Sequence, residues 1–417
     1  MERLPGFRDF YPEPLPHSDV GSADARQFIF NQWRETARRY GFREYDGPPL
    51  ESLELFTTKS GDEIVGQLYN FTDKGDRAVA LRPEMTPTLA RMIAAHERNY
   101  KKPVKWFAIP QLFRYERQQK GRLREHFQFN ADLIGETSPA ADAELIALLI
   151  DTLRSFGLTG KDFVVRLSSR NAWHEFYHAG RGGGSPPPKS GEYEFFQTID
   201  KLERTSPEEN EQKLSSLGFT FETVNRFIKS GKPTVELQSI LDNLAARGLR
   251  DFVKLDYHVI RGLAYYTGVV FEAFDARGEF RAIAGGGRYD NLVKLVSGGK
   301  VDLPALGFGM GDVVLLELLR ARGLLPKFDT TTDVFVLIED ENLRSQSLKL
   351  VQDLRAAGYA VEYPLTSAKP DKQFKRAQEL KVAHTVRLEN EDYVRVRDLK
   401  TREEVVAGVA DAANHLG

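Results

Sequence analysis

Apolar and polar residues alternate strictly over Phe127 to Leu133: Phe127, Phe129, Ala131 and Leu133 fall on one side of an extended chain, and Gln128, Asn130 and Asp132 on the other. This pattern predicts a strand whose apolar side meets a core. Its other side presents an amide and a carboxylate flanking Asn130, suited to bind something small and polar. Just upstream, Arg114 and Glu116 share a face, and Gln118, Gln119, Lys120, Gly121 and Arg122 form the loop of a long hairpin. A guanidinium on a strand floor beside a basic loop suits phosphate, because its planar fork donates two parallel hydrogen bonds. A solvated face on an ordinary hairpin is the competing reading.

Elsewhere the period changes. Phe28, Ile29, Trp33 and Ala37 recur at helical spacing within Ala23 to Tyr40, and Gly41 ends the helix. Phe42 to Leu50 is extended, with Pro48-Pro49 placed at a strand edge or an interface. A short apolar strand, Ala78 to Leu81, runs into Arg-Pro-Glu-Met-Thr-Pro87, a rigid turn whose Glu84 and Thr86 would hold an ammonium group. Thr86 reads equally well as the N-cap of a helix over Thr88 to Arg98. A helix over Pro139 to Phe156 and a strand over Phe163 to Leu167 follow.

Residues 171–250 change character: they are polar, helical in pattern, and interrupted by a glycine- and proline-rich loop, Gly180 to Gly191, so they read as an insertion. Within it, His174-Glu-Phe-Tyr-His178 fits the H-E-x-x-H zinc pattern with both imidazoles one helical turn apart. No third ligand is evident in the sequence, so the segment is read as a surface helix and no metal ligand is assigned. Gly184 to Ser190 lacks the Gly-Lys-Ser/Thr ending of a phosphate loop.

Val269 to Phe274 has the apolar, β-branched content of a central strand, and Arg261, Tyr265 and Tyr266 precede it. An arginine at such a buried strand mouth needs an anionic partner. Arg281 to Ala284 reads as a further strand ending in Gly285-Gly-Gly-Arg-Tyr-Asp290, with a helix from about Asp290 aiming its N-terminus at any ligand the glycines admit. Leu306 to Gly311 is another glycine-rich strand, followed by the helix Val313 to Leu319. Tight strand–helix packing accounts for either glycine run equally well. Beyond a linker at Gly323 to Asp329, the pattern β-α-β-α-β predicts a small α/β domain. Its second helix carries Lys369, Lys372 and Arg376 on one face, a patch able to track an RNA backbone or simply to be solvated.

Composition narrows the field. The 417 residues are enough for two or three domains, and the absence of cysteine removes disulfides, thiolate nucleophiles and cysteine–zinc sites. With a net charge of −2, nucleic-acid binding has to come from local clusters. No segment is apolar enough to span a bilayer and no signal-peptide core is seen, so a cytoplasmic protein without a membrane partner is expected.

Two blocks, Arg261-Gly-Leu-Ala-Tyr-Tyr266 and Ala284-Gly-Gly-Gly-Arg-Tyr-Asp290, together with the hairpin and the strand before it, resemble the histidyl-tRNA synthetase family of class II aminoacyl-tRNA synthetases. The resemblance covers nearly the whole chain. It implies an α+β fold: an antiparallel sheet of about six or seven strands flanked by helices (residues 1–170 and 251–325), a helical insertion domain (171–250) and a C-terminal α/β anticodon-binding domain (332–417). It implies a ligase that joins histidine to histidine tRNA through histidyl-adenylate, with ATP and Mg2+.

Carried over by position, Glu84 and Thr86 would hold the α-amino group of histidine. Gln128, Asp132, Tyr265, Tyr266 and Tyr289 would line its pocket. Arg114 would clamp the α-phosphate, with Arg261 as the catalytic cation opposite. Glu116, Arg122 and His126 would place ATP, His126 standing where the family has an adenine-stacking ring. Arg117 and Gln119 would meet the acceptor end of tRNA, and Pro48 would pack at a homodimer interface; Lys372 and Arg376 of the distal helix, read from their charge alone, are the further candidates for tRNA contact.

Two further departures mark this chain. The family's third motif ends in an arginine that holds the γ-phosphate, whereas this chain has Met310-Gly-Asp-Val-Val314, and Ala264 replaces a common aspartate. Either another cation takes that phosphate or ATP binding is weakened. The alternative is a non-catalytic, histidine-sensing regulatory paralogue of the short-form ATP phosphoribosyltransferase. Against it stand two arginines and a basic loop that a sensor does not need.

Overall fold

The computed structural model describes residues 2–17, 20–57, 65–116, 121–179, 189–203, 205–261, 265–328 and 332–416. It divides into two compact units, one of residues 1–11 and 16–325, the other of 12–15 and 326–417.

The first unit is built on a nine-stranded sheet. Its strands in chain order are β1 (Arg43–Glu44), β2 (Val104–Ala108), β3 (Gln111–Phe113), β4 (Glu125–Ile134), β5 (Phe163–Ser169), β6 (Val253–Leu255), β7 (Val269–Asp275), β8 (Ala284–Arg288) and β9 (Ala305–Gly311). The order across the sheet is β6-β5-β7-β8-β9-β4-β2-β1, with β3 paired to β4 as the hairpin. The six inner strands are mutually antiparallel, while β6 and β1 add parallel edges. A smaller antiparallel sheet joins Leu50–Ser52, Ala78–Leu81 and Asn70–Thr72.

The alternation in β4 does what its period requires. Phe129, Ala131 and Leu133 are buried in the main apolar core. There Phe129 stacks on Trp33 of helix α1 (Ala23–Arg39), ring centroids 5.7 Å apart, and meets Phe308 of β9 edge-on at 5.6 Å. Gln128, Asn130 and Asp132 face the other way, into a pocket. Helix α1 begins at Ser22, whose hydroxyl accepts from the Ala25 N–H, and helix α3 (Pro139–Ser155) covers the same core. Between them in the chain, α2 (Thr86–His96) starts at the turn that carries Glu84.

Residues 171–250 contribute helices α4 (Arg170–Ala179), α5 (Lys189–Asp200), Pro207–Ser216, Phe221–Ser230 and α6 (Val235–Ala246). Their apolar residues Trp173, Phe195, Val224 and Leu237 belong to one cluster with the sheet and α3. The second unit has a five-stranded sheet, ordered Val361–Glu362, Val334–Leu337, His384–Leu388, Tyr393–Asp398 and Glu404–Gly408, with its own apolar clusters. The β-α-β-α-β pattern is present, and the final two antiparallel strands extend it. No described helix is long and apolar enough to cross a membrane.

Two local readings are corrected. Arg281 to Ile283 is not a strand; the strand is the glycine run itself, Ala284–Arg288, paired on both sides. The helix beyond it is a single short turn, Leu292–Val296. Thr86 is not an N-cap: the helix starts at Thr86 after Met85, without a side-chain cap.

Candidate active site

Two cavities meet on the polar face of the large sheet. The smaller, 70 Å3, is lined by the residues singled out for an amino acid: Glu84 and Thr86 at the start of α2, Gln128 and Asp132 from β4, and the three tyrosines 265, 266 and 289. The larger, 630 Å3, takes in Arg114, Glu116, Arg122 and His126 around the hairpin. Arg114 and Arg261 line both cavities, so two guanidiniums far apart in the chain flank the junction.

Glycine makes room for this arrangement. A Cβ on Gly307 would lie 2.0 Å from Asp132 Oδ1, and one on Gly285 would lie 1.9 Å from Arg261 Nη1. Any side chain at either position would occupy the space the polar groups need.

The small pocket is strongly polar. The Tyr265 hydroxyl donates to Glu84 Oε2 at 2.8 Å, and the Tyr289 hydroxyl donates to Asp132 Oδ1 at 2.5 Å. Burial raises the Asp132 carboxyl to about 7, with the Tyr289 hydrogen bond working the other way. Burial likewise pushes the Tyr265 and Tyr289 hydroxyls well up, next to Glu84 and Asp132 respectively, so both stay protonated donors. Two carboxylates, a threonine, two amides and three aromatic rings can hold an ammonium and a small ring bearing N–H groups.

At the junction, Arg114 Nε donates to the Pro83 carbonyl at 3.0 Å, tying the hairpin to the turn that carries Glu84. Arg261 pairs with Glu272 of β7 and lies with its guanidinium carbon 5.7 Å from the Tyr266 ring centroid. Burial opposes its charge, but Glu272 and the neighbouring tyrosines more than offset that, so the guanidinium stays protonated. Its backbone is left-handed, φ 60°, a conformation that costs a non-glycine residue about 1–2 kcal/mol and here aims the side chain into the junction. In the larger cavity, Arg122 Nε lies 2.6 Å from buried Glu116. His126 is lowered to about 3, by burial first and then by Arg114 and Arg8, and so presents a neutral ring.

The sequence reading missed three contributors. Glu272 is the anionic partner that Arg261 required, and as the one acid within Val269 to Phe274 it was open to discovery. Arg8 bonds Glu125 at 2.7 Å and Asp312 at 2.8 Å, while Asp312 also accepts from the Phe127 N–H at 2.9 Å, bracing the hairpin strand against the helix α7 (Asp312–Ala321). Arg281 lines the larger cavity, with no local sequence signal. A carboxylate that the sequence did not connect with His174 and His178 comes from the next helix: Glu192 lies within 4.8 Å of both imidazoles.

Arg117, Gln119, Ala264 and Gly180 to Pro188 lie outside the described residues. In the second unit, Lys372 and Arg376 are exposed on α8 (Pro370–Glu379), Arg376 lying 3.7 Å from Glu379.

The family model described as histidyl-tRNA synthetase matches residues 17–179 and 198–312, and one described as an anticodon binding domain matches 333–416. The chain belongs to the histidyl-tRNA synthetase family. Its relatives include a histidine–tRNA ligase of Opitutus terrae, 45% identical across 97% of this chain and 95% of that protein. Another, from Leptospira biflexa, is 36% identical across 100% of this chain and 97% of its own. The crystal structure of the family member from Nostoc sp. PCC 7120 superposes with a TM-score of 0.75 at 23% identity, covering 97% of both chains, which establishes the common fold.

Proposed function

We propose that this protein is a histidine–tRNA ligase, activating histidine with ATP and passing the histidyl group to the 3′ end of histidine tRNA. The observation that carries the reading is the pair Arg114 and Arg261 at the junction of the two cavities. Histidine sits in the small pocket with its ammonium on Glu84 and Thr86, and its imidazole among Gln128, Asp132, Tyr266 and Tyr289. Its carboxylate then points to the junction. ATP lies in the larger cavity with its α-phosphate between the two guanidiniums, its base near His126 and its phosphates near Glu116 and Arg122.

A histidine carboxylate oxygen attacks the α-phosphorus, a new O–P bond forms, the bond to the bridging oxygen breaks, and pyrophosphate leaves. Fixed cations are most effective where charge builds up, on the non-bridging oxygens in flight, and Arg114 and Arg261 are placed there at no cost of reorganisation. The tRNA hydroxyl then attacks the histidyl carbonyl and displaces AMP. Glu116 and Glu272 are cavity carboxylates of the oxygen-donor kind that Mg2+ takes, and Mg2+ bound there with ATP would neutralise phosphate charge.

Arg117 and Gln119 are assigned to the acceptor end of the tRNA, and the exposed Lys372 and Arg376 to its anticodon side. Residues 1–170 and 251–325 are read as the catalytic domain, 171–250 as the insertion and 332–417 as the anticodon-binding domain. A homodimer contact is assigned near Pro48, where Leu50 and Phe71 leave apolar surface exposed, 37% and 52%. Cytoplasm is the compartment these substrates imply. The sensor reading is set aside: it gives the two junction arginines no task, and a sensor has no use for an anticodon-binding domain.

The test is exchange of labelled pyrophosphate into ATP by the purified protein. Exchange should depend on histidine, with no other amino acid supporting it. Its absence from folded protein that binds histidine would return the sensor to first place.

A further inference from the structure

The larger cavity has two ends. At one, Arg114 and Arg261 adjoin the amino-acid pocket. At the other, Gly121, Arg281 and Val314 are shared with a neighbouring 420 Å3 recess. In the pose proposed above, with the α-phosphate at the first end and the base near His126, the second end is left for the remaining two phosphates. Arg122 is held by Glu116 at 2.6 Å, and the wall contributed by α7 is apolar at Val313 and Val314. The far end nonetheless contains a guanidinium. Taking the point where a Cβ on Gly121 would sit, Val314 Cγ2 is 3.4 Å away, Arg281 Cδ 3.9 Å and Glu317 Oε2 4.0 Å. Arg281 is exposed and lines the cavity, whereas Glu317 lines only the recess.

We infer that Arg281 binds the β,γ-diphosphate end of ATP, the part that leaves as pyrophosphate. The inference rests on the ATP-dependent reading above. It makes the segment between β7 and β8, rather than α7, the source of the cation at that end. Because residues 281 and 314 flank one point from opposite elements, an arginine at either position reaches the same phosphates.

Arg281→Ala should raise KM for ATP in the forward reaction and for pyrophosphate in exchange by about tenfold to a hundredfold, the range for losing a charge-assisted contact. A non-hydrolysable histidyl-adenylate analogue, which has no β- or γ-phosphate, should bind with wild-type affinity. Arg281→Ala/Val314→Arg should recover most of the loss in both KM values, and Arg281→Lys part of it. Unchanged KM values in Arg281→Ala, an equal loss of adenylate-analogue affinity, or no recovery in the double variant would overturn the assignment. Failure of the parent reading looks different: wild-type protein would show no histidine-dependent exchange.

A second, independent observation concerns α4 and α5. His174 and His178 stand one turn apart on α4, and Glu192 reaches them from the first turn of α5, with its Oε1 3.5 Å from His178 Nε2 and in closer contact with His174 Nδ1. Ligand atoms held at about 2.0–2.1 Å by a tetrahedral zinc lie roughly 3.3 Å apart. Small side-chain adjustments bring all three into that geometry and leave a fourth position for water. We infer a divalent transition-metal site here that clips α5 to α4. Zn2+ titrated into the full chain against a chromophoric chelator should bind as one equivalent, and both His178→Ala and Glu192→Gln, which retains a hydrogen-bond acceptor for His174, should weaken it at least about tenfold. Wild-type affinity in either variant, or no Zn2+ bound by the parent, would refute the site.

Discussion

Asp132 is a carboxyl that burial has carried from the ordinary range to about 7, with the Tyr289 hydroxyl 2.5 Å away. In the proposed histidine complex, Asp132 above that pH is ionised and would accept a hydrogen bond from the imidazole; below it, the proton would occupy the acceptor. The kcat/KM for histidine in exchange should therefore fall as pH drops through about 7. Asp132→Asn should be lower by about tenfold to a hundredfold at pH 8 and keep only the bend due to histidine's own ring, near pH 6–6.5. Superimposable pH profiles would remove Asp132 from imidazole recognition. Gly285 makes the complementary case, that of a residue acting through what it lacks. With a Cβ 1.9 Å from Arg261 Nη1, Gly285→Ala has to displace the guanidinium, and exchange should drop by at least about a hundredfold while histidine binding survives. Near-wild-type exchange would show that Arg261 does not act from the place seen here.

Elements were legible where one short period governed them. β4 reveals both its faces over seven residues, because one side packs on Trp33 and Phe308 and the other lines a polar pocket. Ala284–Arg288 was not legible as a strand, since glycine is poor strand material and its reason lies in residues distant in the chain, Arg261 against Gly285 and Phe308 against Gly286, that need the vacated space. Arg8 was equally hidden. Its partners are 117 and 304 residues away, and nothing near it announces a brace. That brace is testable: Arg8→Ala leaves Glu125 and Asp312, 1% and 4% exposed, without their cation, which should destabilise the first unit by about 3–5 kcal/mol in denaturant titration. A change under about 1 kcal/mol would mean that the brace does not hold the hairpin to α7.

For the whole molecule, the family signatures outlined the architecture in advance, down to the antiparallel centre of the large sheet, while the parallel edge strands and the last hairpin of the second unit were added by the structure. The edges are only two or three residues long, too short for any period to register. The clusters of the second unit draw all their residues from 334 to 416. Removing residues 332–417 should therefore reduce tRNA charging by at least about a hundredfold while adenylate formation falls far less. Equal losses would deny that unit a specific role in tRNA recognition.

The central claim is that Arg114 and Arg261 act together on one phosphorus atom beside a histidine pocket. Histidine-dependent pyrophosphate exchange by Arg261→His, paired with histidine binding to the same protein by calorimetry, tests it most directly. Exchange should fall to background with binding still measurable; wild-type exchange in this variant would contradict the account.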